Sequence, residues 1–269
     1  MSTLAPVRIT GVGFWSPRLP GWAHACEVAA GRSSAFEAPQ PRVSPAMLAP
    51  TERRRAPDTV ALALEVASRA CEAAGVDPKA IPSVFASTYG DLPINDYMCS
   101  TLATTPLLCS PTKFHNSVHN AAAGYWTIGT GSMKPSTALL AGEATFGAGL
   151  LESVVQALAD ATPVLFVAYD VAPRGPLAEM VPSQGMLAVA LVLDPGAAHG
   201  PQLYCRVDRD APTQVVMPRA WQDALPENAM NRGLPLFSAL ATGSRDEFGW
   251  PLGSGCRLAA TLVHPEGTP

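Results

Sequence analysis

The chain reads as an α/β protein with a mixed β-sheet flanked by helices. Three observations predict this. Two runs, VLFVAYD (164–170) and GMLAVALVLD (185–194), are apolar almost without interruption, as in strands buried on both faces. The segment DTVALALEVASRACEAAG (58–75) carries Val60, Leu64, Ala67 and Cys71 at helical spacing. Strand-like and helix-like segments alternate along the chain, and no repeat, linker or low-complexity stretch divides it, so residues 1–269 are expected to form one domain.

Taken in order, VRITGVGFWSP (7–17) is a β-branched strand closed by proline, and GWAHACEVAAG (21–31) a short helix. A proline-rich connector is expected over 38–57. The helix at 58–75 has Asp58 as its expected N-cap and Gly75 just past its end. SVFASTYGD (83–91) reads as a strand, 92–112 as an irregular apolar stretch, and NSVHNAAAGYWTIGTG (116–131) as a helix of small residues. STALLAG (136–142) is a short strand running through a tight turn into a helix that extends over LLESVVQALAD (150–160). Beyond the two apolar runs come a strand QLYCRVD (202–208), a polar loop near 209–230, a short helix near 233–242 and a last strand RLAATLVH (257–264).

Composition bounds the function. A hydrophobic content of 48% against 15% charged residues describes a packed globular chain with apolar surface to spare for an interface. The net charge of −4, spread without long runs, gives no electrostatic reason to expect nucleic acid. The local exception is Arg53-Arg54-Arg55, which reads as a solvated face or an anion site. No apolar run reaches the ~18 residues of a membrane span. The N-terminus lacks a charged segment followed by an apolar one, so no secretory leader is expected. The six cysteines are scattered without CxxC spacing and read as reduced core residues of a cytoplasmic protein; no metal or cofactor is expected.

Residues 5–195 resemble the first half of a β-ketoacyl synthase, a thiolase-fold condensing enzyme. ITGVGFWSP (9–17) is similar to that family's opening strand, and SPTKFHNSVHNAAAGYWTIGTG (110–131) to its Ser-Pro, Asn and Ala-Gly pattern. Running from Ser110-Pro111 through Asn120, Ala123-Gly124 and Pro135, the pattern places the family's nucleophilic cysteine on Glu143. The resemblance implies a truncated thiolase-like fold in which residues 196–269 form a shortened extension completing the sheet. It departs from the family at three points. The nucleophile is Glu143, the usual Gly-Pro before the nucleophile strand is Lys134-Pro135, and most of the second half is missing. That half normally carries two histidines, whereas beyond position 143 this chain has only His199 and His264.

A condensing cysteine depends on a helix N-terminus that favours its thiolate. A carboxylate in the same place is a poor nucleophile toward a thioester, and without histidines nothing polarises the carbonyl. The expected role of Glu143 is a helix cap held ionised by the helix dipole. The resemblance then implies a catalytically inactive chain-length factor of the short type paired with aryl polyene or xanthomonadin-type ketosynthases. Such a subunit forms a heterodimer with an active ketosynthase, closes its acyl tunnel, and meets acyl carrier protein only indirectly. The same surface is also compatible with a homodimer when the partner is absent. Leu92, Ile94, Tyr97, Met98 and Phe114 are the tunnel candidates. His119, Asn120, Tyr125 and Trp126, on or beside the small-residue helix, are the interface candidates. The enzymatic alternative is a malonyl-carrier-protein decarboxylase that uses Glu143. An unrelated serine hydrolase has no GxSxG to rest on, and Ser254 reads as a turn before the last strand.

Overall fold

A computed structural model describes residues 3–209, 217 and 219–265. The first half contains β1 (Val7–Ser16), β2 (Leu19–Pro20), α1 (Trp22–Ala29), α2 (Pro50–Arg55), α3 (Asp58–Ala74) and β3 (Ser83–Ala86). Next come α4 (Leu92–Thr104), α5 (Pro111–Asn116), α6 (Ala121–Thr130), β4 (Ser136–Leu139), α7 (Thr145–Asp160) and β5 (Val164–Asp170). The chain continues through β6 (Leu187–Asp194), β7 (Gln202–Asp208), α8 (Arg219–Ala224), α9 (Leu234–Thr242), β8 (Asp246–Gly253) and β9 (Cys256–Val263). Among the described residues these strands build one sheet in the order β4-β3-β5-β6-β1-β7-β9-β8, with β2 appended to β1. The sheet is mixed: β3 pairs in parallel with β4 and β5, and the remaining pairs are antiparallel.

The apolar runs explain the layering. Alternate residues of a strand face opposite sides of a sheet. Val164, Phe166 and Ala168 of β5 enter one core, with α7, α9 and Trp221 of α8, while Leu165, Val167 and Tyr169 enter the other, with α3 and α6. The same division holds along β6. Both faces are covered by helices, so both faces of these strands must be apolar. The four face residues foreseen on α3 are all fully buried or nearly so. This helix lies almost on the backbone of β1: a Cβ at Gly11 would sit 2.1 Å from the Ala70 carbonyl oxygen, and one at Gly13 2.1 Å from that of Val66.

Several elements differ from expectation. The connector over 38–57 contains α2, whose Arg53 folds inward to donate to the Leu48 carbonyl at 2.8 Å. Asp58 is not the N-cap of α3. Pro57 holds that position, and Asp58 instead pairs with Arg42 at 2.8 Å, although Gly75 ends the helix as foreseen. The strand expected over 83–91 stops at Ala86. The irregular stretch at 92–112 is mostly helical: the Asp91 side chain caps α4 by accepting from the Ile94 N–H at 2.8 Å. The helix expected from 116 begins at Ala121. The loop foreseen at 209–230 lies partly outside the described residues, and its described part contains α8 with a buried Trp221. Strand β8 was not foreseen, because Gly249 and Pro251 read as breakers; Pro251 is tolerated because β8 is an edge strand. Ser254 lies in the β8–β9 turn as expected. The six cysteines are all free, but only Cys71 and Cys205 are buried, and burial pushes both thiols up to about 12; Cys99 is exposed, contrary to the core reading. No helix among the described residues is long and apolar enough to cross a membrane.

The contact between β1 and α3 yields a first prediction. Gly13→Ala forces the two backbones apart and should destabilise the fold by roughly 3 kcal/mol. The loss would be read as a lower midpoint in urea unfolding with an unchanged slope. A variant with a wild-type midpoint would mean that the helix does not press on the strand.

Candidate functional site

The parallel register aligns the ends of three strands. Ala86 of β3 lies opposite Leu139 of β4 on one side and Ala168 of β5 on the other. The loops after β3, β4 and β5 therefore emerge together at the carboxyl ends, the usual place for a site in a sheet of this kind. The loop after β4 is the sharp one. Ala141, Gly142 and Glu143 turn the chain into α7, with Gly142 at φ 54, a left-handed conformation that favours glycine. Thr145 clamps the turn: its Oγ1 accepts from the Ala141 N–H at 2.9 Å and donates to the Gly142 carbonyl at 2.7 Å.

Glu143 points outward, with its side chain 83% exposed. The expected cap is absent, for α7 has no side-chain hydrogen bond at its N-terminus. Instead the Glu143 carboxylate pairs with the Arg232 guanidinium at 3.0 Å. Arg232 comes from the C-terminal extension, on a single 3₁₀ turn at Ala229–Gly233. Asn228 anchors that turn, donating to the Gly185 and Asp170 carbonyls at 2.8 and 3.2 Å and accepting from the Met230 N–H. The Trp250 indole donates to the Arg232 carbonyl at 2.7 Å. A Cβ at Gly147 would come within 2.6 Å of Trp250, and one at Gly233 within 2.2 Å of Phe146, so small residues are required where the extension meets α7.

A second carboxylate, which sequence reasoning did not single out, organises the loop after β3. Asp170 ends β5 and is 1% exposed. It accepts from the Ser87 hydroxyl at 2.8 Å and from the Thr88 and Tyr89 N–H groups at 3.0 and 3.3 Å. Burial raises its carboxyl to about 6, and these hydrogen bonds only partly offset that effect. Its signal was a polar residue closing an apolar run. His119 braces the same loop, its Nε2–H donating to the Ser87 carbonyl at 2.9 Å.

The two downstream histidines lie elsewhere. Val164, at the start of β5, pairs with Leu193 near the end of β6, and Gln202 of β7 pairs with Val263 at the end of β9. His199, between β6 and β7, and His264, after β9, thus sit at the opposite end of the sheet from Glu143.

The family profile described as "Beta-ketoacyl synthase, N-terminal domain" matches residues 22–247. The chain belongs to the β-ketoacyl synthase family. Three solved structures share its fold. One is a ketosynthase (ApeO) in complex with its chain length factor (ApeC) from Xenorhabdus doucetiae, at 23% identity and TM-score 0.71, covering 95% of this chain and 98% of that one. The ishigamide ketosynthase/chain length factor gives 16% identity and TM-score 0.71, covering 97% and 100%. A type II polyketide ketosynthase complex, AntDE:AntF, with its acyl-carrier protein gives 11% identity and TM-score 0.72, covering 97% and 99%. A Burkholderia phymatum β-ketoacyl synthase is matched over only 71% of its length, with 15% identity and TM-score 0.57. No curated protein matches the chain. The fold is thus that of a thiolase-type ketosynthase in a shortened form.

The residues singled out in the sequence have different surroundings. Leu92 and Ile94 are buried at the start of α4. Tyr97 and Met98 join α4 to the 109–110 segment: the Tyr97 hydroxyl accepts from the Ser110 N–H at 3.2 Å, and the Cys109 thiol donates to the Met98 sulfur at 3.6 Å. Phe114 is 63% exposed and lines, with Val118, Tyr125 and Ile128, an apolar pocket of about 600 Å³. Asn120, at the N-cap position of α6, is exposed and makes no cap hydrogen bond. Trp126 is a correction. It is completely buried between α6 and the sheet, beside Phe85, and belongs to the core instead of an exposed face. Tyr125 is nearly as deep, whereas Ile128 on the same helix is exposed, at 81%.

The buried Asp170 supplies a pH prediction. Its carboxyl sits at about 6 in the folded protein and at 3.8 without the surroundings. A raised carboxylate favours folding in its protonated form, so its contribution is complete below about pH 4 and is lost as pH rises through 6. Between pH 4 and 7 the wild type should lose about 2 kcal/mol relative to Asp170→Asn. Urea unfolding of both proteins across that range measures the difference; parallel curves would contradict it.

Proposed function

We propose that this chain is a non-catalytic ketosynthase-like subunit, a chain-length factor, which forms a heterodimer with an active β-ketoacyl synthase and closes its acyl tunnel. The observation that carries this reading is the nucleophile turn itself. Its geometry is retained, but the position holds an exposed carboxylate neutralised by Arg232. A carboxylate so paired has no chemistry to offer a thioester, and the two downstream histidines stand at the other end of the sheet. The single-domain organisation, with residues 196–269 completing the sheet, belongs to the same reading.

The surface supports it. Strand β4 ends the sheet, so among the described residues no strand lies beside its outer backbone edge. Of the twelve large apolar residues exposed among the described ones, eight fall between Leu102 and Leu140, on or near α4, α5, α6 and β4. Clustering of this kind marks an interface. The partner adds its own β4 counterpart to the open edge, and the interface exceeds about 2,000 Å² in total. The pocket beside Phe114 and the α4 residues Leu92, Ile94, Tyr97 and Met98 face or support the far end of the partner's tunnel. Product length is set there, and acyl carrier protein docks on the complex through the synthase. Without the partner, the same edge pairs two copies of this chain.

Co-expression with the cysteine-bearing ketosynthase of the same host tests the proposal. The two chains should purify at one-to-one and make product that neither makes alone. Leu140→Asp, at a site already 59% exposed, should leave the isolated chain folded and weaken the pairing at least about tenfold. Carbon dioxide released from malonyl-carrier protein by this chain alone, and abolished in Glu143→Gln, would overturn the proposal in favour of a decarboxylase.

A further inference from the structure

The three consecutive arginines do not act as one. Arg53 turns inward to the backbone, while Arg54 and Arg55 border a pocket of about 240 Å³ between α2, α4 and α5. Arg42, Lys113 and Arg174 converge on the same pocket from three other parts of the chain. Two carboxylates line the pocket with them, and a third, Glu52 of α2, reaches Arg55 from outside it at 3.9 Å. Asp58 is engaged by Arg42 at 2.8 Å, and Asp91 is held by the Thr59 hydroxyl at 2.6 Å and the Ile94 N–H. Five cations drawn together in a chain of net charge −4 cost self-repulsion that nothing in the fold requires.

A second observation is independent of charge. Asn116, at the end of α5, lines the pocket and is only 2% exposed. Its Nδ2 donates to the Arg55 carbonyl at 3.4 Å, but its Oδ1 is buried without a hydrogen-bond partner. A buried acceptor left unpaired loses the hydrogen bonds it had in water and gains none in return. Such a group is normally satisfied by something, and here it asks for a donor.

We propose that this pocket binds a phosphate monoester that carries a hydroxyl next to its phosphate. The guanidinium groups present paired donors that match phosphate oxygens, and a dianion answers this excess of cations better than a single carboxylate. The neighbouring hydroxyl donates to Asn116 Oδ1. The site is separate from the nucleophile turn and does not rest on the subunit reading. Two sources share this chemistry, a free metabolite and a lipid headgroup.

Calorimetric titration with sn-glycerol 3-phosphate, with glycerol as the blank, tests the first source. Sedimentation with phosphatidylcholine vesicles containing lysophosphatidic acid, whose sn-2 hydroxyl is free, tests the second. Saturable binding to either probe is expected, at least tenfold weaker in the double variant Arg54→Ala/Arg174→Ala. Both side chains are exposed, so the double variant should melt as the wild type does. Asn116→Asp should weaken glycerol 3-phosphate binding as well, because it sets a carboxylate against the anion. If the double variant fails to fold, Arg174→Gln alone serves, with the same direction expected. Binding to neither probe, or binding that persists undiminished in the arginine variants, overturns the proposal.

Discussion

Parallel pairing of β3 between β4 and β5 is the constraint on which the rest of the site depends. Because Ala86 stands level with both Leu139 and Ala168, three loops leave the sheet at one end and within reach of one another. A one-residue slip of β4 would exchange its two faces and carry Glu143 away from Arg232. Register here is held by burial on both faces of β5 and by the Ser83–Ser136 hydroxyl contact at 2.9 Å. Asp170 adds a second hold, since it ties the end of β5 to the start of the β3 loop. That loop leads directly into α4, so the buried carboxylate positions the residues on which tunnel shape would depend.

The turn after β4 is a sharp strand-to-helix turn that carries a paired carboxylate. Sharp strand-to-helix turns are strained, and this one is maintained by Gly142 and Thr145 although Glu143 makes no cap. The pair with Arg232 is exposed and contributes little to stability, under about 1 kcal/mol. Its consequence is positional: it ties the Glu143 side chain to the C-terminal extension. The C-terminal extension is what makes this possible. It brings Arg232 to the turn on a brace of Asn228 and Trp250, and it packs Trp250 against Phe146 at 5.4 Å.

Much of the fold was legible in the sequence because burial on both faces leaves a plain mark. The runs at 164–170 and 187–194 could be nothing but central strands once helices flanked them, and α3 carried its apolar face openly. Elements with mixed roles were harder to read. Helix α4 begins with a proline and carries few apolar residues in register, since much of one side faces solvent; its signal was the Asp91 cap. Strand β8 hides behind Gly249 and Pro251, residues that only an edge position tolerates. The position of Glu143 could be read by counting, but its partner could not. Arg232 meets it through tertiary packing, and a single sequence carries no trace of that pairing. Trp126 was misread because large aromatics among small residues look alike whether they pack inward or outward.

The central claim is that the open edge of β4 is the seam to a partner synthase. Hydrogen exchange, measured on the chain alone, diluted until it is monomeric, and after mixing with its host's cysteine-bearing ketosynthase, tests this most directly. Backbone amides in 136–140 that exchange freely in the isolated chain should become strongly protected in the mixture, while those of β5 and β6, buried at the centre of the sheet, stay slow in both. Should the β4 amides exchange equally fast with and without the synthase, while the two proteins are shown to be bound, the seam lies elsewhere and the account fails.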